Sequence, residues 1–186
     1  MSGRAGPWGW HELERRWAAR LVALAEVDPG DLVLDIGAGE GTITEHLLRA
    51  GATIVAIELH PHRLSMLRER FAAASVTVVR ADAADLRLPR RPFKVVANPP
   101  FAATVAVLRR LTSPSSRLER ASLVLPAWAV ARWAAGRGVG GTVSKQTFAF
   151  SWGPRISAHA FRPAPPADPA ILIVERARPR ARPPHP

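Results

Sequence analysis

Cysteine is absent from this 186-residue sequence, so it holds no disulfide and no cysteine-ligated metal. Lysine is nearly absent, with Lys94 and Lys145 standing alone among the 26 basic residues. No apolar run approaches the roughly 20 residues that span a bilayer, and the N-terminus has no signal-peptide pattern. The six histidines, at positions 11, 46, 60, 62, 159 and 185, lack the grouping that ligates a metal. His60 and His62 are the nearest pair, and they read as a solvated helix start. These absences lead to the expectation of a soluble cytoplasmic protein that uses no metal and no membrane.

Acidic residues are scarce in one half only. Residues 1–85 carry 9 arginines against 12 Asp and Glu, a net of −3. Residues 86–186 carry 15 arginines and both lysines against Glu119, Asp168 and Glu175, a net of +14. High-GC coding accounts for arginine over lysine. It does not account for the loss of acids after position 85. A polyanionic partner for the second half is the physical reading.

The length suits one domain with a core large enough to be stable. Residues 1–10 are rich in Gly and Trp and read as irregular. Apolar residues at helical spacing predict a helix over 11–25, and Asp28-Pro29-Gly30-Asp31 reads as a turn. Short apolar runs predict strands at 32–36, 53–57, 76–79, 93–97 and 122–125. Helices are expected at 42–50, 61–73, 104–111 and 127–135, and Gly136 to Gly141 reads as a flexible basic loop. Residues 147–152 and 170–175 read as a closing strand pair, and the Arg/Pro-rich end as disordered. Strands alternating with helices indicate a mostly parallel α/β sheet. The last two strands have no helix between them, so one strand should be antiparallel.

The stretch with the sharpest chemistry is Val95-Val96-Ala97-Asn98-Pro99-Pro100-Phe101. Two prolines fix φ and remove two donors, so the chain must leave the sheet there. Their neighbouring carbonyls are then free to face a cleft. The Asn98 side chain adds an acceptor, and Phe101 adds a flat face. Two acceptors and a ring suit a planar exocyclic amine. A plain strand-ending Pro-Pro turn is the alternative. The stretch resembles the N/D-P-P-Y/F/W motif of methyltransferases that modify planar amino groups.

Ligands of open α/β sheets bind beyond the carboxyl ends of the strands. Each of the first four predicted strands ends in a candidate group. Asp35-Ile36-Gly37-Ala38-Gly39-Glu40-Gly41 is a tight glycine turn that lets a ligand touch backbone. Glu58 could accept from ribose hydroxyls, Asp82 from an adenine amine, and Asn98 ends the fourth strand. Glu58 fits a dinucleotide binder equally well. The phosphate-binding G-x-G-x-x-G pattern is not matched, however, and Glu40 would repel a pyrophosphate. The joint pattern resembles class I S-adenosylmethionine-dependent methyltransferases, with a Rossmann-like, mostly parallel seven-stranded sheet and one antiparallel strand. That resemblance implies S-adenosyl-L-methionine as cofactor. It implies cofactor contacts at His11, Leu13, Gly37, Ala38, Gly39, Glu58, Leu59, Asp82, Ala83 and Asn98.

Two further segments narrow the resemblance. Phe161-x-Pro163-x-Pro165-x-x-Asp168-x-Ala170 is similar to the F-x-P-x-P-x-V-D-S-A segment of rRNA adenine-N6 methyltransferases. Gly9-Trp10-His11-Glu12-Leu13 stands where that family has G-Q-N-F-L. Trp10 and His11 replace its Gln and Asn, and Pro169 replaces its Ser. Over residues 9–176 the chain resembles Erm-type 23S rRNA methyltransferases, which confer macrolide, lincosamide and streptogramin B resistance. The implied catalytic set is Asn98, Pro99, Pro100 and Phe101, with Phe101 and Phe161 as the rings that hold the base. The helical C-terminal domain usual in the family is not seen. The expectation is a catalytic domain over 1–176 with a disordered tail over 177–186, acting as a monomer on 23S rRNA in protein-poor or precursor particles. Alternatives are a housekeeping small-subunit rRNA adenine dimethyltransferase, a DNA adenine-N6 methyltransferase, or a non-catalytic rRNA-binding assembly factor.

Overall fold

The computed structural model describes residues 11–138 and 146–177. Strand β1 is Glu12–Leu13, followed by α1 at Arg15–Leu24, β2 at Leu32–Ile36, α2 at Thr42–Arg49 and β3 at Thr53–Glu58. Then come α3 at Pro61–Arg70, β4 at Val76–Arg80, β5 at Phe93–Ala97, α4 at Thr104–Leu111 and β6 at Leu118–Pro126. The chain closes with α5 at Ala127–Ala134, β7 at Phe148–Trp152, β8 at Phe161–Arg162 and β9 at Pro169–Arg176. No helix among the described residues is long and apolar enough to cross a membrane.

Seven strands form one sheet in the order β4-β3-β2-β5-β6-β9-β7. Strand β9 runs antiparallel to β6 and to β7, while the other neighbours are parallel. The expected single antiparallel strand is thus β9. The central strands are apolar on both faces because both faces are covered. One apolar cluster lies under α4 and α5, with Val95, Leu108, Leu123, Trp133 and Leu172 in it. The other lies under α1, α2 and α3, with Leu21, Val33, Leu47, Leu67 and Val96 in it.

The chain builds β2, β3 and β4 outward, then returns to place β5 on the other side of β2. That reversal opens a crevice at the carboxyl ends of β2 and β5, the usual ligand position in such sheets. The glycine turn after β2 and the Asn-Pro-Pro-Phe loop after β5 face each other there.

Some expectations shift. The first helix starts at Arg15 rather than at 11, because Glu12 and Leu13 pair antiparallel with Arg162 and Phe161. Helix α3 ends at Arg70, three residues short of the expected 73. Strand β6 runs for 9 residues rather than four; Glu119 and Arg120 hide its start from a reading of apolar runs. Arg176 belongs to β9, with its guanidinium 4.8 Å over Phe148 and bonded to the Leu118 and Ser116 carbonyls. The expected irregular start at 1–10, the second half of the Gly136 to Gly141 loop (139–141) and the tail from 178 lie outside the described residues.

Candidate active site

The glycine turn folds back on β3. The amides of Gly37 and Ala38 both donate to the Ile57 carbonyl, at 2.9 and 3.0 Å. Gly37 has φ of +76°, and a Cβ there would lie 3.2 Å from Pro100 Cδ and 3.3 Å from Pro99 Cα. Only a residue without a side chain lets the two loops meet so closely. Gly41, at φ +89°, opens α2, and a Cβ on it would strike the Phe71 ring at 2.6 Å.

Glu58 ends β3 and is buried at 5% exposure. Its Oε1 accepts from the amides of Leu59 and His60 at 2.9 and 2.8 Å, with Arg63 at 3.4 Å. Its Oε2 accepts from Gly39 N at 2.9 Å. The side chain therefore ties the glycine turn to the start of α3, and Oε2 keeps an acceptor position beyond these contacts. Asp82 is exposed after β4 and caps the turn Ala83–Asp85 by accepting from Ala84 N at 2.8 Å. Ala83 and Ala38 are buried beside these loops.

Asp35 is the group that the sequence reading passed over. It is fully buried, and its Oδ2 accepts from Thr44 Oγ1 at 2.6 Å. Its Oδ1 has no hydrogen-bond partner. Burial pushes this carboxyl up to about 7, against a counteracting hydrogen bond from Thr44 and with a further push from the Glu58 charge. The signal was available: an acid two residues before a glycine turn, at the end of a buried strand.

On the other side of the crevice, Asn98 donates from Nδ2 to the His11 carbonyl at 2.8 Å. This contact fixes the amide orientation, because only the nitrogen can donate. The Oδ1 acceptor takes no hydrogen bond among the described contacts. His11 is buried at 6% exposure, and its Nδ1 donates to the Pro163 carbonyl at 2.9 Å. The His11 ring lies 6.2 Å from the half-buried Phe101 ring. The Pro100 carbonyl is taken by Ala103 N at 2.8 Å, whereas the Pro99 carbonyl accepts no hydrogen bond among the described contacts. Asn98 Oδ1 and Pro99 O are thus two acceptors of this loop with no partner among the described contacts.

The β1–β8 pair holds this side together, joined by Glu14 N to Ala160 O at 2.9 Å. Leu13 and Phe161 are opposite partners in it, and both side chains are in the core, at 4% and 3% exposure. Phe161 is therefore a core residue here rather than an open stacking face. Leu13 has only backbone to offer a ligand. Among the described residues, no three His, Asp or Glu gather as a metal site.

The sequence model for ribosomal RNA adenine dimethylase matches residues 12–183. The chain belongs to that family. Among its relatives is the mycinamicin-resistance protein MyrB of Micromonospora griseorubida, 34% identical over 179 residues, covering 90% of this chain and 56% of MyrB. A second is the ribosomal RNA small subunit methyltransferase A of Geobacter sulfurreducens, 31% identical over 181 residues, covering 90% of this chain and 66% of that protein. The chain thus spans about half to two thirds of the length of these family members. The crystal structure of the 23S rRNA methyltransferase ErmE superposes with a TM-score of 0.78 at 25% identity, over 88% of this chain and 68% of ErmE. The seven-stranded sheet with one reversed strand is the class I methyltransferase fold of this family.

Proposed function

We propose that residues 1–176 form the catalytic domain of an S-adenosylmethionine-dependent rRNA adenine-N6 methyltransferase of the Erm type. Its substrate is an adenine of 23S rRNA, and the consequence is resistance to macrolide, lincosamide and streptogramin B antibiotics. The observation that carries this reading is the Asn98 amide. With its nitrogen held by the His11 carbonyl at 2.8 Å, its oxygen is pre-set to accept from an exocyclic amine, beside Pro99 O and the Phe101 ring.

The crevice suits S-adenosylmethionine. Gly37 clears space where a Cβ would close the gap to Pro100. Glu58 Oε2 can accept from a ribose hydroxyl. The buried, unpartnered Asp35 Oδ1 suits the cationic amino-acid end. When bound, S-adenosylmethionine supplies a methyl group already activated by a sulfonium.

The chain's own contribution is then positioning. The adenine N6 lone pair is delocalised into the ring. Asn98 Oδ1 and Pro99 O accept from the two N6 hydrogens and favour a more tetrahedral nitrogen. Phe101 holds the base plane after extrusion from the RNA. Alignment for in-line approach supplies the remainder, and no general base is required. The net positive charge of the second half supports a polyanionic substrate.

The similarity to small subunit methyltransferase A favours a second reading, in which 16S rRNA is the substrate. Transfer of labelled methyl to protein-free 23S and 16S rRNA, followed by nucleoside analysis, separates the two. Label as N6-methyladenine derivatives in 23S rRNA is expected. Label in 16S rRNA alone selects the second reading, and label in guanine or only in protein rejects both.

A further inference from the structure

The most exposed large apolar side chains of the described protein are Trp128 and Trp152, at 55% and 53% exposure. A tryptophan left half in water twice on one small domain has no packing reason. The register of the sheet shows that the two belong to one rim. Ala97, the residue before Asn98, pairs with Leu123, Leu123 pairs with Leu172, and Leu172 pairs with Trp152. A single lateral row therefore joins the Asn98 loop to Trp152. Three strand spacings make that distance roughly 14 Å. Residues of one lateral row point to one face. Leu123 and Leu172 lie in the apolar cluster that α5 covers with Val130 and Trp133. Trp152 thus stands on the α5 side of the sheet.

Trp128 is in the first turn of that same α5, two residues beyond the carboxyl end of β6. It lines an open groove of about 470 Å3 with Ala131, Arg132 and Arg137, and no carboxylate lines it. Arg132 Nε is anchored on the Arg137 carbonyl at 2.9 Å, which holds the guanidinium beside the helix. An exposed indole beside arginines, in a groove that no acid lines, with a second exposed indole on the same rim, matches the chemistry of a single strand of nucleic acid. Any base can stack on an indole, and arginine takes the phosphates. A protein partner of acidic character would use the arginines but leave two indoles without a planar match.

We propose that Trp128 and Trp152, with Arg132 and Arg137, form a stacking platform for the single-stranded RNA that flanks the target nucleotide. The proposal rests on the reading of the chain as an RNA methyltransferase. It adds a docking surface, built into the catalytic domain on the β6-β9-β7 side of the Asn98 loop.

The test uses the full chain and a fluorescein-labelled 12-nucleotide oligoadenylate RNA, followed by anisotropy. The Trp128→Ala/Trp152→Ala double variant should bind it about tenfold or more weakly than wild type, and Trp128→Phe/Trp152→Phe within about threefold. Arg132→Gln/Arg137→Gln should lower the slope of log K against log salt by about one. Thermal melts establish that each variant is folded, and calorimetry should give all of them wild-type affinity for S-adenosylmethionine. Equal binding by wild type and the Ala pair overturns the platform. So does equal loss by the Ala and Phe pairs, since stacking would then not be the cause. A wild-type dimer that the Ala pair breaks, with RNA affinity unchanged, assigns the patch to self-association and overturns the proposal. If the platform fails while wild type still methylates rRNA, the functional reading stands. If wild type binds no RNA and transfers no methyl group, both fall.

Discussion

The two sides of the crevice are built differently. On the glycine-turn side the decisive bonds are short in sequence. Thr44 reaches Asp35 across 9 residues, and Gly39 reaches Glu58 across 19. On the Asn98 side, Asn98 reaches His11 across 87 residues, and His11 reaches Pro163 across 152. The first side is a unit of two neighbouring strands and their loops. The second exists only when both ends of the chain have closed on the middle. A change far from the crevice should therefore damage methyl transfer before it damages cofactor binding.

The sharpest way to break this contrast is Asn98→Ala. Asn98 Oδ1 is proposed to act on the amine as it pyramidalises, so its loss should appear in rate rather than in binding. A fall of about 100-fold or more in methyl transfer is expected, the scale for one positioned polar group, with RNA affinity within a few fold. Single-turnover transfer and filter binding measure the two. Equal losses in both would place Asn98 in RNA binding instead.

Glu58→Ala tests the other side. A charged hydrogen-bond partner lost from the site costs about 1.5–3 kcal/mol, roughly ten- to a hundredfold in S-adenosylmethionine affinity. Because the same carboxylate satisfies Gly39, Leu59 and His60 amides, the melting temperature should fall as well. Unchanged affinity in calorimetry would remove Glu58 from the cofactor site and leave it a loop tie.

His11→Ala separates the two sides. It removes the 2.9 Å bond to Pro163, worth about 1 kcal/mol, and so should slow methyl transfer roughly fivefold. Its effect should vanish in an Asn98→Ala background, because contacting residues do not act additively. Full additivity would show that His11 works independently of Asn98.

The smallest effect concerns pH. The Asp35 carboxyl, raised by burial from 3.8 to about 7, binds its proton more tightly in the folded protein than in the unfolded chain. Its stabilising contribution is complete below pH 3.8 and is lost as the pH rises through 7. Asp35→Asn removes that loss, so the variant's melting temperature relative to wild type should climb by a few degrees between pH 4 and pH 7. The same variant should bind S-adenosylmethionine more weakly. A pH-independent difference would mean that Asp35 is ionised throughout, with its charge compensated inside the crevice.

Local sequence was enough where φ, ψ and burial depend on neighbours. Phe93–Ala97 and Thr104–Leu111 have the bounds that their residues predict. A β-branched run ended by two prolines leaves the chain no other course. The four strand-end groups follow from the same logic, since alternating strands and helices bring their carboxyl ends to one rim. Local pattern did not reveal the two-residue strands at Glu12–Leu13 and Phe161–Arg162. Neither has a periodicity to read, and each forms only because the other is present. Nor could it settle that the Asn98 amide is held by the His11 carbonyl, that Phe161 is core, or that Trp152 shares a lateral row with Ala97. Those depend on backbone carbonyls and strand registers supplied from remote parts of the chain, and only closing the sheet puts them in reach.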